Sequence, residues 1–234
     1  MRSSSAYRDP ALMPRKVSTP NLLDKKTPGP YLVSSRNQST GRGLPGPGLS
    51  PSRSNVMSQI AITPVTPTTT PEASKPTLEA LKVKFGGVPK MFATFAHSPA
   101  ALEAVAGYFG AMGKASLPAR TQEAIAIAVA EVNRCTYCLS AHTALGKLQG
   151  VPADELAGFR SGRAANPREQ AILDLALAIV RTHGADTARQ LAAARQAGLT
   201  DAELVEVITA VAQNVLTNYL NVVAGTEVDF PKVA

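Results

Sequence analysis

The chain has 234 residues, with 24 lysines and arginines against 17 aspartates and glutamates, so its formal net charge is +7. A hydrophobic content of 44% excludes a wholly disordered chain, and two cysteines exclude a secreted scaffold held by several disulfides. The apolar runs are far shorter than the roughly 20 residues that cross a bilayer, and no apolar segment follows the first basic residues. We therefore expect a cytoplasmic protein that does not enter a membrane.

Residues 1–71 differ in composition from the rest, because they carry 11 of the 18 prolines together with many serines and glycines. Such a segment cannot recover its ordering entropy by burying apolar surface. The sequence therefore predicts a disordered tail at 1–71 and a folded domain at 72–234. The excess positive charge lies in the tail, since residues 1–57 hold nine basic and two acidic residues, whereas residues 58–234 hold fifteen of each.

Three interpretations of the tail remain open at this stage. It is rich in serine and arginine as transit peptides are, but its prolines oppose the long amphipathic helix of such peptides. Its basic residues could bind an anionic partner such as nucleic acid. It could also be a non-native extension or a mis-assigned start, with Met57 as the natural beginning.

From Pro76 onward the apolar residues repeat with the period of a helix, and no long period-2 stretch is present. Cap signals at Ser98-Pro99, Asn166-Pro167 and Thr200 predict three helix starts. We expect an all-α domain. The predicted helices begin near Ser98, run from Ala119 to Asn133, from the cysteines to Gln149, from Asn166 to Gly184, from Asp186 to Ala197, and from Thr200 toward Ala224.

Both cysteines fall in one motif, Cys135-Thr136-Tyr137-Cys138, and His142 follows four residues later. Residues three and four apart share one face of a helix, so the three side chains can meet. A helical pair at i and i+3 also has the Cα separation that a disulfide needs. A helix N-terminus and a nearby imidazole both favour a thiolate, so the motif predicts a reactive cysteine.

Two carboxylates, Glu123 and Glu131, bracket the apolar run 124–130. A carboxylate in such surroundings requires a partner, and His142 is a natural one, because a carboxylate fixes the tautomer of an imidazole and raises its basicity. A helix-surface ion pair would explain Glu123 as well. Glu131 lies nearer the helix end and is the better candidate for a solvated side chain.

Two simpler interpretations of the cysteines compete with a redox role. Two cysteines and a histidine could bind zinc, but a structural zinc site needs a fourth ligand, and no second cluster supplies it, so we predict no metal. Cysteines are also often small buried hydrophobic residues. The disulfide-compatible spacing beside a histidine favours redox chemistry over both.

The order Glu123, Cys135-x-x-Cys138 and His142 resembles the AhpD-like alkylhydroperoxidase family of the carboxymuconolactone decarboxylase superfamily. The passage Asn218-Tyr219-Leu220-Asn221 and the segment 225–231 resemble its peroxidase-related branch. The resemblance implies an all-helical fold, a trimer or hexamer, and reduction of hydroperoxides by thiols without a cofactor.

The resemblance also assigns roles to single residues. It implies that Cys138 is the peroxidatic cysteine, that Cys135 resolves the sulfenic acid to a disulfide, and that His142 and Glu123 relay protons. An external dithiol then reduces the disulfide. The chain departs from the family pattern at Tyr137, where a histidine is common and whose hydroxyl could act as an auxiliary group, and at Val222, where another histidine is common.

Two other functions stay open beside the peroxidase. The same motif could serve a dithiol–disulfide oxidoreductase that has no peroxide substrate. Alternatively, the basic tail could make the protein an anion-binding or nucleic-acid-binding module, which the balanced charge of residues 58–234 disfavours for the folded domain.

Overall fold

A computed structural model describes residues 61–233, which form nine α-helices and no β-strand. The all-α fold class is therefore confirmed for this part of the chain. Most of the predicted tail, residues 1–60, lies outside the described residues, as does residue 234. The helices are α1 (Lys75–Phe85), α2 (Lys90–Phe95), α3 (Pro99–Met112), α4 (Ala119–Val132), α5 (Thr136–Leu148), α6 (Ala153–Arg160), α7 (Pro167–Thr182), α8 (Ala188–Gln196) and α9 (Asp201–Ala224).

The three helix starts that the cap signals predicted are confirmed. The Ser98 side chain accepts a hydrogen bond from the backbone of the first turn of α3, and Asn166 accepts two at the start of α7. Thr200 and Glu203 form a reciprocal capping box at the start of α9. These bonds satisfy backbone N–H groups that the helices themselves leave unpaired.

Three of the helices were not predicted from the sequence, because each is too short to carry a long apolar stripe. They are α1, α2 and α6, of 11, 6 and 8 residues. The prediction also ended the helix that starts at Asn166 at Gly184, whereas α7 ends at Thr182 and His183 takes the left-handed conformation that usually favours glycine.

Helix α4 forms the centre of the domain. All of its residues from 124 to 130 are buried, and α5, α6, α7 and α9 pack around it. Alternating alanine with isoleucine and valine lets neighbouring helices approach closely while larger side chains fill the core.

The segment 61–71 lies against the helices, although the sequence analysis placed it in the tail. Ile62 donates a backbone hydrogen bond to Ala224 at the end of α9 (3.0 Å), and Val65 donates one to Ala93 in α2 (3.1 Å). A ring nitrogen of His97 lies 2.8 Å from the Thr63 carbonyl oxygen. The chain therefore contacts the helical domain before residue 72. Backbone hydrogen bonds make these contacts, and amino-acid composition does not predict them.

The segment after α9 crosses the helix that carries the cysteines. Asp229 accepts a hydrogen bond from the Lys90 backbone (2.7 Å), and the ring of Phe230 meets that of Tyr137 edge-on, with centroids 5.6 Å apart. The backbone N–H of Val233 donates to the Ser140 hydroxyl at 3.4 Å. These contacts hold the segment across the start of α5.

Helix α9 is long and apolar enough to cross a membrane by length and composition, and half of its apolar window is buried within the domain. Its buried side chains include Leu204, Val207 and Val211, which belong to the hydrophobic core. This is the packing of a core helix.

Candidate active site

The turn between α4 and α5 places the cysteine motif. The N–H of Arg134 donates to the carbonyl of Glu131 (3.1 Å), and the N–H of Cys135 donates to the carbonyl of Ala130 (2.9 Å). This pair of bonds defines a Schellman motif, with Arg134 at its left-handed position (φ 55°). A side chain there costs about 1 kcal/mol relative to glycine. The turn makes Cys135 the N-cap residue of α5.

The two thiols lie next to each other at the first turn of α5. Their sulfur atoms are 2.6 Å apart, both cysteines are free, and each is only 2% exposed. The Cys135 sulfur also accepts a hydrogen bond from the backbone N–H of Cys138 (3.2 Å). The predicted meeting of the two sulfurs is therefore what the geometry shows, and a disulfide requires only a small further approach.

The two thiols differ in acidity. The hydrogen bond from Cys135 is the largest cause that lowers the pKa of Cys138, to about 6, and the charge of His142 and amide hydrogen bonds add to it against the opposing effect of burial. The same hydrogen bond, together with burial, raises the pKa of Cys135. Of the two thiols, Cys138 is therefore the more acidic and Cys135 the one that loses its proton at higher pH.

His142 and Glu123 form the predicted carboxylate–imidazole pair. Nδ1 of His142 lies 2.8 Å from Oε2 of Glu123, and both side chains are mostly buried. Burial lowers the pKa of His142, but the charge and hydrogen bond of Glu123, together with the charge of Cys138, outweigh it and raise the pKa above its ordinary value. The raised pKa favours the protonated form of the imidazole beside Cys138.

Glu131 does not take part in this pair. Its carboxylate accepts a hydrogen bond from Nε of Arg160 at 3.0 Å on the surface of the domain. Of the two carboxylates that bracket the apolar run, the structure brings only Glu123 to the imidazole.

Two asparagines of α9 complete the surroundings of the thiolate, and the sequence analysis gave them no role. Nδ2 of Asn221 donates to the Cys138 sulfur at 3.3 Å. Asn218 is fully buried, its Oδ1 accepts a hydrogen bond from Asn133 (2.9 Å), and it too lowers the pKa of Cys138. The signal for them in the sequence was the set of polar residues that continues the apolar stripe of α9 from Gln213 onward, since a polar group inside a core requires a partner.

Tyr137 and Val222 are the two positions where the chain departs from the family pattern. The hydroxyl of Tyr137 accepts a hydrogen bond from the backbone N–H of Met91 (3.3 Å), and burial raises the pKa of Tyr137. Its ring forms part of the cavity wall described next. Val222 is half-exposed and does not line that cavity.

An apolar cavity of about 220 Å³ lies beside Cys138 and His142. Aromatic and aliphatic side chains from α1, α2, α3 and α5, with one from the C-terminal segment, form its wall. A hydrophobic cavity with few polar groups suits a small ligand with an apolar part. The lining residues are Phe85, Pro89, Met91, Phe92, Phe109, Tyr137, Cys138, Ala141, His142, Leu145, Leu148, Thr217 and Phe230. Within residues 61–233, no group of three or more His, Cys, Asp or Glu side chains is placed to hold a metal ion.

Comparison with known proteins bears on the family of the chain. Residues 99–176, which contain the Glu123, cysteine and His142 positions, match the model of the carboxymuconolactone decarboxylase family. The alkylhydroperoxidase AhpD core of an uncharacterized peroxidase-related protein from Ralstonia eutropha JMP134 is 28% identical. That structure has a TM-score of 0.65, and the match covers 73% of this chain and 93% of that one. The predicted family resemblance is confirmed.

Other solved structures share the AhpD-like fold at lower identity. An uncharacterized peroxidase-related protein from Silicibacter sp. TM1040 is 19% identical with a TM-score of 0.63, and the match covers 77% of this chain and 95% of that one. The debrominase Bmp8 in its apo form is 18% identical with a TM-score of 0.62, over 72% and 91% of the two chains. No curated protein matches this chain.

We predict that Glu123→Gln makes Cys138 less reactive near neutral pH. Without the carboxylate, His142 loses its proton at a lower pH, and the positive charge that lowers the pKa of Cys138 is lost. The thiolate is present above the pKa of Cys138, so the midpoint of iodoacetamide alkylation against pH should move upward from about 6. Near the original midpoint the alkylation rate should fall about three- to tenfold.

The matched control is Glu103→Gln, because Glu103 is an exposed carboxylate of α3 outside the cavity. Its profile should coincide with that of the wild type. An unchanged midpoint in Glu123→Gln would show that the carboxylate does not act on Cys138 through His142.

Proposed function

We propose that the domain is a thiol-dependent peroxidase in which Cys138 reduces a hydroperoxide and Cys135 resolves the product. The environment of the Cys138 sulfur is the observation that supports this proposal. Cys138 lines an apolar cavity together with His142, and its sulfur receives hydrogen bonds from Cys135 and Asn221. A thiolate stabilised in this way is a nucleophile at neutral pH. The AhpD-like fold alone does not carry the proposal, because a debrominase shares it.

In the first step, the Cys138 thiolate attacks one oxygen of the hydroperoxide. The S–O bond forms as the O–O bond breaks, and the leaving alkoxide takes a proton from His142, which Glu123 keeps protonated. The products are an alcohol and the sulfenic acid of Cys138.

In the second step, Cys135 attacks the sulfur of that sulfenic acid. The raised pKa of Cys135 depends chiefly on the thiolate next to it, and this negative charge disappears once Cys138 is oxidised. Cys135 can then give its proton to the neutral His142, the S–S bond forms, and the hydroxide leaves as water with that proton. An external dithiol reduces the disulfide and restores the thiol–thiolate pair.

The cavity supports an organic hydroperoxide as substrate. Its wall is almost wholly apolar, and its volume of about 220 Å³ suits a small alkyl or aryl group. The peroxide group would lie at the Cys138 end, because Cys138 and His142, which carry the proposed chemistry, are among the described lining residues.

A dithiol–disulfide oxidoreductase without a peroxide substrate is the second candidate, since the paired thiols would serve it equally well. Binding of an anion or nucleic acid through the basic tail concerns residues outside the described part of the chain. Peroxide turnover by the domain distinguishes the first proposal from both.

We also propose a homo-oligomer, as trimer or hexamer. Large apolar side chains on the outer face of α9 support it, because a monomer would leave them in water. The molar mass from light scattering should be three or six times that of one chain, and a monomeric mass would contradict the proposal. The exposed side chains are Val205, Ile208, Leu216, Tyr219, Val222 and Val223.

The cysteine variants test the reaction. Cys138→Ser should abolish dithiol-dependent peroxide consumption, because the nucleophile is removed. Cys135→Ser should still react once with peroxide and then stop at the sulfenic acid, which dimedone traps as a defined mass increase on Cys138. Peroxide turnover by Cys138→Ser at the wild-type rate would refute the assignment.

The cavity mouth tests the substrate class. Leu148 lines the cavity yet is 84% exposed, so Leu148→Lys should place a charge at its mouth at little cost to folding. We expect kcat/KM for cumene hydroperoxide to fall about two- to fivefold, while that for hydrogen peroxide stays unchanged.

Val83→Lys is the control for this variant, because Val83 is 80% exposed but does not line the cavity. It should leave both rates unchanged. Equal effects of Leu148→Lys on the two peroxides would argue against an apolar substrate in this cavity.

A further inference from the structure

The two cysteines line different openings in the domain. Cys138 lines the apolar cavity described above, whereas Cys135 lines a second cleft of about 230 Å³. The two openings share no lining residue. Residues that line the second cleft, here called the Cys135 cleft, are Ala130, Glu131, Arg134, Cys135, Thr136, Leu139, Arg160 and Val233.

The Cys135 cleft differs from the cavity in charge. Among its described lining residues are two guanidinium groups, of Arg134 and Arg160, and one carboxylate, that of Glu131. Glu131 is paired with Arg160 at 3.0 Å. The Arg134 side chain is exposed and makes no ion pair or side-chain hydrogen bond with the described residues. One cation beside Cys135 is therefore available to a ligand.

The backbone of Arg134 adds a second, independent observation. It occupies the left-handed position of the turn (φ 55°), which glycine adopts without strain. An arginine there is conformationally unfavourable, and strained residues concentrate at functional sites. The turn would form more easily with glycine, so we attribute the arginine at this position to a role of its side chain.

We propose that a small dithiol carrying an anionic group reduces the Cys135–Cys138 disulfide from the Cys135 cleft, and that Arg134 binds that group. The proposal rests on the disulfide cycle proposed above. It gives the two half-reactions separate openings, with peroxide at Cys138 and the reductant at Cys135.

The chemistry of exchange favours attack at Cys135. A thiolate attacks one sulfur of a disulfide and expels the other, and expulsion is faster when the departing thiol is more acidic. Cys138 is the better leaving group, because Asn221 and His142 stabilise its thiolate. A nucleophile in the Cys135 cleft approaches from the side away from the apolar cavity and expels this stabilised sulfur.

The bonds and electrons balance with the dithiol as the two-electron reductant. Its first thiolate forms an S–S bond with Cys135 while the Cys135–Cys138 bond breaks, and the electron pair of that bond leaves on Cys138 as thiolate. A second thiolate then attacks the reductant sulfur of this mixed disulfide and releases Cys135, which takes up a proton. It comes from the same molecule where a five- or six-membered cyclic disulfide can close, and from a second reductant molecule where the dithiol is vicinal.

The size of the cleft limits the reductant. A volume of about 230 Å³ corresponds to roughly eight water molecules at about 30 Å³ each, so a small dithiol fits. The anionic group should lie within a few bonds of the thiol, because Arg134 is the residue before Cys135. A charge-assisted hydrogen bond from a guanidinium suits a carboxylate or sulfonate.

The test compares two dithiols that differ in one group, 2,3-dimercaptopropane-1-sulfonate and the neutral 2,3-dimercaptopropan-1-ol. The disulfide form is prepared with diamide, so the reductive half-reaction is measured without any peroxide. Stopped-flow rates should favour the sulfonate in the wild type. In Arg134→Gly this preference should fall about three- to tenfold, while the rate with the neutral dithiol stays near that of the wild type.

Two variants and one measurement of stability test whether the preference for the sulfonate depends on the charge of Arg134. Arg134→Lys should retain most of the preference, and Lys114→Ala, which removes an exposed charge elsewhere, should retain all of it. Arg134→Gly should unfold at the wild-type temperature or above, because glycine relieves the left-handed strain. An undiminished preference in Arg134→Gly would overturn the assignment to Arg134.

The attacked sulfur is identified separately. The disulfide form is treated with 2-mercaptoethanesulfonate, quenched with N-ethylmaleimide and digested, and fragment masses locate the two adducts. We expect the mercaptoethanesulfonate on Cys135 and the maleimide on Cys138, and the reverse pattern would overturn the proposed approach. Failure of peroxide to oxidise the protein would instead contradict the proposed function and leave both of these results standing.

Discussion

The turn at Arg134 is the constraint on which the site depends. It reverses the chain between α4 and α5, so residues at similar distances before and after it lie at the same height of two antiparallel helices. Glu123 precedes Arg134 by 11 residues and His142 follows it by 8, which at about 1.5 Å per residue brings the carboxylate and the imidazole side by side. The same turn makes Cys135 the cap of α5 and sets the sulfur of Cys138 one turn further along.

The site combines a hydrophobic interior with a small number of buried polar groups. Nδ2 of Asn221 donates to the Cys138 sulfur from α9, and Asn133 at the end of α4 donates to Oδ1 of Asn218. Nδ2 of Asn218 and Oδ1 of Asn221 are buried without a hydrogen-bond partner among the described residues, so part of each amide is left unpaired in the core. The same groups that allow the thiolate to exist inside the domain also make it a good leaving group.

Much of this was predictable from the sequence, and the rest depends on packing at long range. The cap signals at Ser98, Asn166 and Thr200 act within one helical turn, and the cysteine–histidine spacing acts within two, so local rules suffice for them. Spacing alone could not choose between Glu123 and Glu131, because that choice depends on how α5 and α6 pack on α4. Asn221 lies 83 residues beyond Cys138, and no local rule connects the two.

The capping bond of α5 gives the redox cycle a consequence for the helix itself. In the reduced protein the Cys135 sulfur accepts the backbone N–H of Cys138 and so caps the helix that carries both cysteines. A sulfur in a disulfide bears less negative charge and is a weaker acceptor. Each oxidation therefore loosens the first turn of α5 while the new covalent bond tethers it, and each reduction exchanges the tether for the cap. In the proposed cycle the helix end would thus alternate between covalent and electrostatic restraint.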